Sequence, residues 1–370
     1  MKYYLIAGEA SGDLHGANLM RALQALDPEA QFRFWGGDAM SAIGGQPVRH
    51  IRDLAIMGFI EVAAHLSTVL GNISFCKHDI AEYKPDVVIG IDYPGFNLKI
   101  EEWAHLNGYS TAHYISPNLW AWKKSRIKKM RRSLDTLCYI LPFEQQFFAS
   151  NNMPQAVYVG HPLLDEVELY HRNDIAIDSK PIIALLPGSR RQELIHSLPA
   201  MTKLAVEHPE YHFVVAGMSI IGANFYNMLI PADSNISVLY DQTYNILAQA
   251  YAAVVCSGTA TLETALFNVP QVVCYRANPV SIAIARAIVS RRIRYISLVN
   301  LIADAPVVTE LIQEDFNQDR LENEFNRMLD SAVRTQIQQS YATLRTLLGG
   351  PGASERAARQ ILNIACKHHQ

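Results

Sequence analysis

Short apolar runs alternate with longer amphipathic stretches along nearly the whole chain, and no other feature restricts the fold as much. Tyr3–Ala7, Phe32–Trp35, Val87–Ile91, Thr111–Ile115, Leu137–Ile140 and Val157–Val159 are apolar or nearly so at strand length. Strands apolar at consecutive positions are buried on both faces, as in a parallel sheet. Helical patterns lie between them. The clearest is Val62, Leu66, Val69, Ile73, Cys76 and Ile80, which share one helical face. A second series follows in Ile182–Leu186, Phe213–Ala216, Ile236–Leu239, Ala253–Cys256 and Val272–Tyr275. Two such series in succession predict an α/β chain of two Rossmann-like lobes.

The 370 residues leave room for two domains at about 100–200 residues each. Gly160-His-Pro-Leu-Leu-Asp and a polar stretch up to Lys180-Pro181 separate the two series. The expected divisions are an N-terminal lobe 1–165, a C-terminal lobe 166–348 and a tail 349–370. One long helix is expected from about Arg320 to Leu348, stopped by Gly349-Gly350-Pro351-Gly352. Ser354 is the expected N-cap of a last short helix. The glycine-rich joint is a natural hinge and leaves a homodimer with exchanged C-termini open.

With 49% apolar and 18% charged residues, the chain has the composition of a folded globular protein, not a disordered one. A net charge of -3 gives no globally basic surface, and no nucleic-acid-binding motif is present. Cys76, Cys138, Cys256, Cys274 and Cys366 are scattered, which fits a reducing compartment and neither a disulfide framework nor a zinc site. His15, His113 and His161 lie near candidate loops, but no two have metal-ligand spacing. No window supplies the ~20 apolar residues of a membrane span. The expected location is cytoplasmic, with any membrane contact peripheral.

Four loops at strand ends carry chemistry-bearing residues. Gly8-Glu-Ala-Ser11-Gly12-Asp13 follows the first strand and opens a helix. Gly188-Ser189-Arg190 stands at the same place in the second lobe, where an arginine at a helix start can grip a diphosphate. Ser257-Gly258-Thr259-Ala260-Thr261 crowds small hydroxyl residues at a helix N-terminus, and Glu263 lies one turn on, within reach of ribose hydroxyls. Asp92 ends the Val87–Ile91 strand, where open sheets bind ligands, and a carboxylate there can act as a general base. Each loop also has a plain structural reading, as a tight turn, a capped helix or a turn-forming aspartate. The dinucleotide fingerprint G-x-G-x-x-G is missing, which disfavours a dehydrogenase. A different surface is suggested by Ile56–Ile60 and by Trp120-Ala-Trp122 leading into Lys123, Lys124, Arg126, Lys128, Lys129, Arg131 and Arg132. Aromatics beside a basic run suit an anionic lipid surface.

As an ordered set these segments resemble the lipid-A-disaccharide synthase family. The matching pieces are Ala7–Gly16, Gly36-Gly37, Met57–Val62, Ile91–Asn97, Ser116–Trp122, Val159–Leu163, Leu186–Arg190, Ser257–Glu263, Asn300–Ala303 and Glu310–Gln313. The resemblance implies a GT-B fold, two Rossmann-like lobes facing across a cleft with the C-terminal helix returning to the N-terminal lobe. It implies condensation of UDP-2,3-diacylglucosamine with 2,3-diacylglucosamine 1-phosphate into a β-1,6-linked disaccharide 1-phosphate and UDP, with inversion at the sugar carbon. It also implies no metal, no cofactor beyond the UDP-sugar substrate, and peripheral binding at the inner membrane.

Carried onto this sequence, the family makes Asp92 the base for the acceptor hydroxyl. Arg190, with Gly188 and Ser189, and the Ser257–Thr261 loop would hold the diphosphate. Glu263 would hold the ribose and Asn300 would lie near the nucleotide. Ser11 and Gly12 would line the acceptor side, and Ile56–Leu66 would meet acyl chains. The family pattern often has a second aspartate where this chain has Gly95, so Asp92 alone carries the base assignment in this loop. The competing readings are a GT-B transferase with a soluble acceptor, a UDP-sugar 2-epimerase and a non-enzymatic UDP-sugar-binding regulator.

Overall fold

The computed structural model describes residues 1–54, 66–117, 126–173, 175, 180–232, 234–276 and 294–367. It divides into two compact units, Met1–Asp165 with Pro351–Gln370, and Glu166–Gly350.

The first unit is built on a seven-stranded sheet in the order β3-β2-β1-β4-β5-β6-β7. Its strands are β1 (Lys2–Ala7), β2 (Gln31–Gly36), β3 (Arg49–His50), β4 (Val87–Ile91), β5 (Ser110–Tyr114), β6 (Thr136–Tyr139) and β7 (Ala156–Tyr158). All neighbours run parallel. β1, β4, β5 and β6 are buried at nearly every position, which explains the apolar runs of β1 and β4. The helix Leu66–Tyr83 buries Ile73, Cys76 and Ile80 against Tyr4, Ile6 and Val88, as its periodicity requires. The earlier part of that pattern, residues 55–65, lies outside the described residues.

The second unit carries a six-stranded sheet in the order β10-β9-β8-β11-β12-β13. Its strands are β8 (Ile182–Leu186), β9 (His212–Gly217), β10 (Ile236–Tyr240), β11 (Ala250–Cys256), β12 (Gln271–Tyr275) and β13 (Thr309–Ile312), again parallel throughout. Each sheet therefore reverses its winding once, between β1 and β4 in the first unit and between β8 and β11 in the second. Ligands of open α/β sheets bind outside the strand C-termini at such a reversal.

Two expectations about the C-terminal region are corrected. The helix expected over Arg320–Leu348 is two helices, Gln318–Leu329 and Ser331–Leu348. Asp330 breaks it: its carboxylate accepts from the N–H groups of Ala332 and Val333 and caps the second helix. The last helix, Ala353–Lys367, is capped by Asp165 and not by Ser354. The Asp165 carboxylate accepts from the amides of Gly352, Ala353 and Ser354 at 2.5, 3.2 and 3.0 Å. A single side chain thus satisfies donors that a helix start leaves orphaned. Arg356 donates to the Val159 carbonyl at 2.7 Å, and the helix packs along the first helix of its own unit, Ala10–Leu26.

Candidate active site

The β1–β4 reversal of the first unit brings together the Gly8–Gly12 loop and the Asp92 turn. Asp92 and Tyr93 follow β4 with φ of +45° and +50°, and Ile115 follows β5 with φ of +70°. Left-handed backbone at non-glycine residues costs on the order of 1 kcal/mol or more each, and such strain gathers at functional sites. The turn is held from several directions. Asp92 donates its N–H to the Tyr114 carbonyl at 2.9 Å. The Asn97 side-chain amide donates to the carbonyls of Asp92 at 2.7 Å and Ile6 at 3.1 Å, tying the turn to β1. Gly8 is required because a Cβ there would stand 2.4 Å from the Tyr93 ring. Ser11 is exposed and Gly12 buried in the first turn of the helix Ala10–Leu26. Among the described residues nothing lies within 4 Å of a Cβ at Gly95, so none of them forces its lack of a side chain.

Burial pushes the Asp92 carboxyl up from the usual range, while the nearby His113 charge pulls it down and Glu9 pushes it up. His113, on β5, is fully buried, and its Nδ1 lies 2.6 Å from Oε1 of the equally buried Glu101. Burial opposes charge on His113, but the Glu101 charge and hydrogen bond more than reverse this and raise its pKa. Glu144 is a further buried carboxyl at this end of the sheet. Desolvation lifts it to about 8, although Ser116 Oγ donates to it at 2.9 Å. His161 is driven the other way, to about 3, by burial.

In the second unit, Gly188, Ser189 and Arg190 follow β8, and the Ser257–Thr261 segment follows β11, on either side of the β8–β11 reversal. Gly188 has φ of +111°, and a Cβ there would stand 2.5 Å from the Glu193 carboxylate. Arg190 is the N-cap residue of the helix Arg191–Glu207. The Glu193 carboxylate accepts from the amides of Ser189 at 2.8 Å and Arg190 at 3.2 Å, and from Arg190 Nη1 at 3.1 Å. An internal anion therefore occupies the donors expected to face a phosphate. Gly258 and Thr259 are exposed at the start of the helix Thr259–Leu266, while Ser257 and Ala260 are half-buried. The Ser257 hydroxyl donates to the Ile296 carbonyl at 3.2 Å. Thr261 is buried with its hydroxyl donating to the Gly258 carbonyl at 2.8 Å, so it shapes the loop from within. Glu263 accepts from the Tyr244 hydroxyl at 3.0 Å.

Asn300, expected near the nucleotide, is held within its own lobe. It is buried, and its amide nitrogen donates to the Val308 carbonyl and to Glu310, both at 2.9 Å. Its amide oxygen accepts from the Val308 N–H at 2.9 Å. The side chain is committed to joining its own helix, Leu298–Ala303, to β13. Among the described residues no three His, Cys, Asp or Glu side chains gather as a metal site, and no helix is long and apolar enough to cross a membrane.

Comparison with known proteins resolves what this geometry leaves open. The family model for lipid-A-disaccharide synthetase matches residues 3–364. The chain belongs to the lipid-A-disaccharide synthase family. It is 35% identical over 372 residues to the lipid-A-disaccharide synthase of Trichlorobacter lovleyi, covering 97% of this chain and 96% of the relative. The Syntrophus aciditrophicus lipid-A-disaccharide synthase is 37% identical over 376 residues, covering 98% and 97%. Among solved structures, UDP-GlcNAc 2-epimerase from Neisseria meningitidis, bound to UDP-GlcNAc, aligns with a TM-score of 0.69 at 13% identity, over 98% of this chain and 100% of that one. The calicheamicin glycosyltransferase CalG4 aligns with a TM-score of 0.63 at 15% identity, over 98% of both. These structures establish the two-domain GT-B fold, while membership of the synthase family makes the protein a glycosyltransferase.

Proposed function

We propose that this member of the lipid-A-disaccharide synthase family transfers 2,3-diacylglucosamine from UDP-2,3-diacylglucosamine to 2,3-diacylglucosamine 1-phosphate. The products are the β-1,6-linked disaccharide 1-phosphate and UDP. The observation that carries the chemistry is Asp92, a half-buried carboxyl with a raised pKa on a strained turn at the β1–β4 reversal. The Asp92 carboxylate takes the proton of the acceptor 6-hydroxyl as its oxygen attacks the sugar carbon. The bond to the UDP oxygen breaks on the opposite face, and the diphosphate leaves with the electron pair, inverting that carbon. Arg190, the amides of Ser189 and Arg190, and the Ser257–Thr261 helix start supply positive potential for the diphosphate. In this reading they take the place of a metal, and the UDP-sugar is a substrate, so no cofactor is used.

Membrane contact at the inner-membrane surface fits the helix Arg126–Ser133. Ile127 and Met130 anchor it in the core, and Lys128, Arg131 and Arg132 stand exposed. Lys129 is paired with Glu102 at 2.7 Å. Exposed basic residues gain roughly 1 kcal/mol each near an anionic lipid surface. Ile56–Ile60, Trp120, Trp122, Lys123 and Lys124 lie outside the described residues.

The test is disaccharide and UDP formation from the two purified acyl sugars, with a chelator present. Equimolar products are expected, and no product, or activity lost to the chelator, sinks the corresponding claim. Asp92→Asn is expected to lower kcat about 10²–10⁴-fold. Salt-sensitive binding to anionic vesicles tests the surface.

A further inference from the structure

We propose that Glu101 and His113 are a positioning pair for Asp92. Glu101 fixes the His113 ring through Nδ1, and the ring, as imidazolium, is the buried counter-charge that holds Asp92 as the carboxylate. The inference rests on the reading of Asp92 as the base.

The geometry is built for this pair. Gly90 on β4 lies opposite His113 in the sheet register, and a Cβ at Gly90 would stand 2.0 Å from Glu101 Oε1. The sheet thus gives up a side chain at its centre to admit a carboxylate. Glu101 lies four residues after Asn97 in the helix Pro94–Leu106, so the two share a face. One face of one helix therefore clamps the Asp92 carbonyl through Asn97 and orients His113 through Glu101. Asp92 follows directly on β4 and donates its N–H to Tyr114, the neighbour of His113.

Stability alone gives little reason for such a pair. Buried ion pairs are often matched or bettered by apolar residues of similar volume. Among the described residues, His113 Nε2 and Glu101 Oε2 are buried without a hydrogen-bond partner, a costly arrangement that calls for a functional account. Among the described residues, the ionisable groups acting on Asp92 are His113, Glu9 and His15, and those on His113 are Glu101 and Asp92. Of the groups around Asp92, Glu9 opposes its ionisation and the histidines favour it. Neither Glu101 nor His113 is assigned a contact with substrate; both act through Asp92.

The experiment pairs kinetics with histidine titration in the full-length enzyme. Glu101→Gln, which keeps the shape, is expected to lower kcat about tenfold near neutral pH and leave KM for the UDP-sugar unchanged. Its acidic limb in the kcat profile is expected to move up by about one pH unit as Asp92 loses its counter-charge. By linkage, nitrogen-15 histidine NMR of Asp92→Asn is expected to show the His113 midpoint falling. An inactive Asp92→Asn beside a wild-type profile in Glu101→Gln overturns the pair and leaves the base reading standing. An unmoved His113 midpoint overturns the pair independently of activity, even where Glu101→Gln fails to fold. Full activity in Asp92→Asn overturns both readings.

Discussion

The two lobes share a winding pattern yet furnish their strand ends in opposite ways. At the C-terminal end of its sheet the first lobe buries ionisable groups with displaced pKa values: Asp92, His113, Glu144 and His161. At the same end the second lobe places helix starts, small hydroxyl residues and a guanidinium 73% exposed on Arg190, with the Ser189 and Arg190 amides held by Glu193. Displaced ionisation suits proton transfer, whereas exposed donors at helix starts suit a fixed anion. In the proposed reaction, one architecture would thus divide acid–base work from phosphate binding by what it places at equivalent strand ends.

Glycines at the two reversals give the largest test of this contrast. Gly90→Ala drives a methyl into Glu101 and Asn97 inside the first sheet. Overpacking of this kind costs about 1–3 kcal/mol, and more where a buried pair must separate. We expect a stability loss of about 3 kcal/mol or more, read by denaturant unfolding. Gly188→Ala meets the Glu193 side chain first, in a backbone with φ of +111°. We expect a loss of about 1–2 kcal/mol there, with a raised KM for the UDP-sugar. Equal losses at both sites would erase the distinction between a buried and an open site.

The pH dependence of stability sharpens the same contrast. Glu144 has a folded-state pKa of about 8, above the ordinary 4.5. Its contribution is fully present below about 4.5 and is lost as pH rises through about 8, because the folded state holds the extra proton. Unfolding free energy is expected to fall between pH 5 and 8 by up to a few kcal/mol from this group. Glu144→Gln should flatten that slope, and an unchanged slope would remove Glu144 from the account.

Arg190→Ala probes the second lobe. A hydrogen bond to a charged group contributes about 1.5–3 kcal/mol, so KM for the UDP-sugar should rise about 10- to 100-fold while the acidic limb of kcat stays in place. A shifted limb with unchanged KM would reverse the division of labour.

The fold was open to sequence reading wherever burial is two-sided. β1, β4, β8 and β11 are apolar at nearly every position because both faces are covered, and their runs stand out. β3 and β13 escaped notice for physical reasons. β3 is the polar pair Arg49–His50, and β13 carries Glu310, which accepts from the amides of Ile296 and Ser297. The break at Asp330 was hidden because a capping aspartate between two helical patterns reads locally like a surface residue. In the first lobe the strand-end Asp92 was visible. The Glu101–His113 pair was not, since its members are 12 apart in sequence and meet only through the β4–β5 register. The signal available was a histidine within the otherwise uncharged run Ser110–Tyr114. The polar side chain of Asn300 answers Val308 and Glu310 within its own lobe, a pairing that no local pattern announces.

Glu193 supplies the smallest effect and the finest test of the comparison. Its carboxylate accepts from Ser189 N, Arg190 N and Arg190 Nη1, the donors assigned to a diphosphate. The capping role is modest, about 1 kcal/mol for a helix start of this kind. If the diphosphate takes these donors, Glu193 must leave them, and it competes with the ligand until it does. Glu193→Gln weakens that competition, because a neutral amide binds the donors less strongly than a carboxylate. UDP affinity by calorimetry should therefore rise a few-fold while stability falls by about 1 kcal/mol. The first lobe predicts the opposite pattern for its own carboxylate: Asp92→Asn should cost kcat and leave UDP affinity unmoved. A Glu193→Gln enzyme that binds UDP more weakly would show that the carboxylate shapes the loop for the ligand, and the second lobe would then depend on a fixed charge as the first one does.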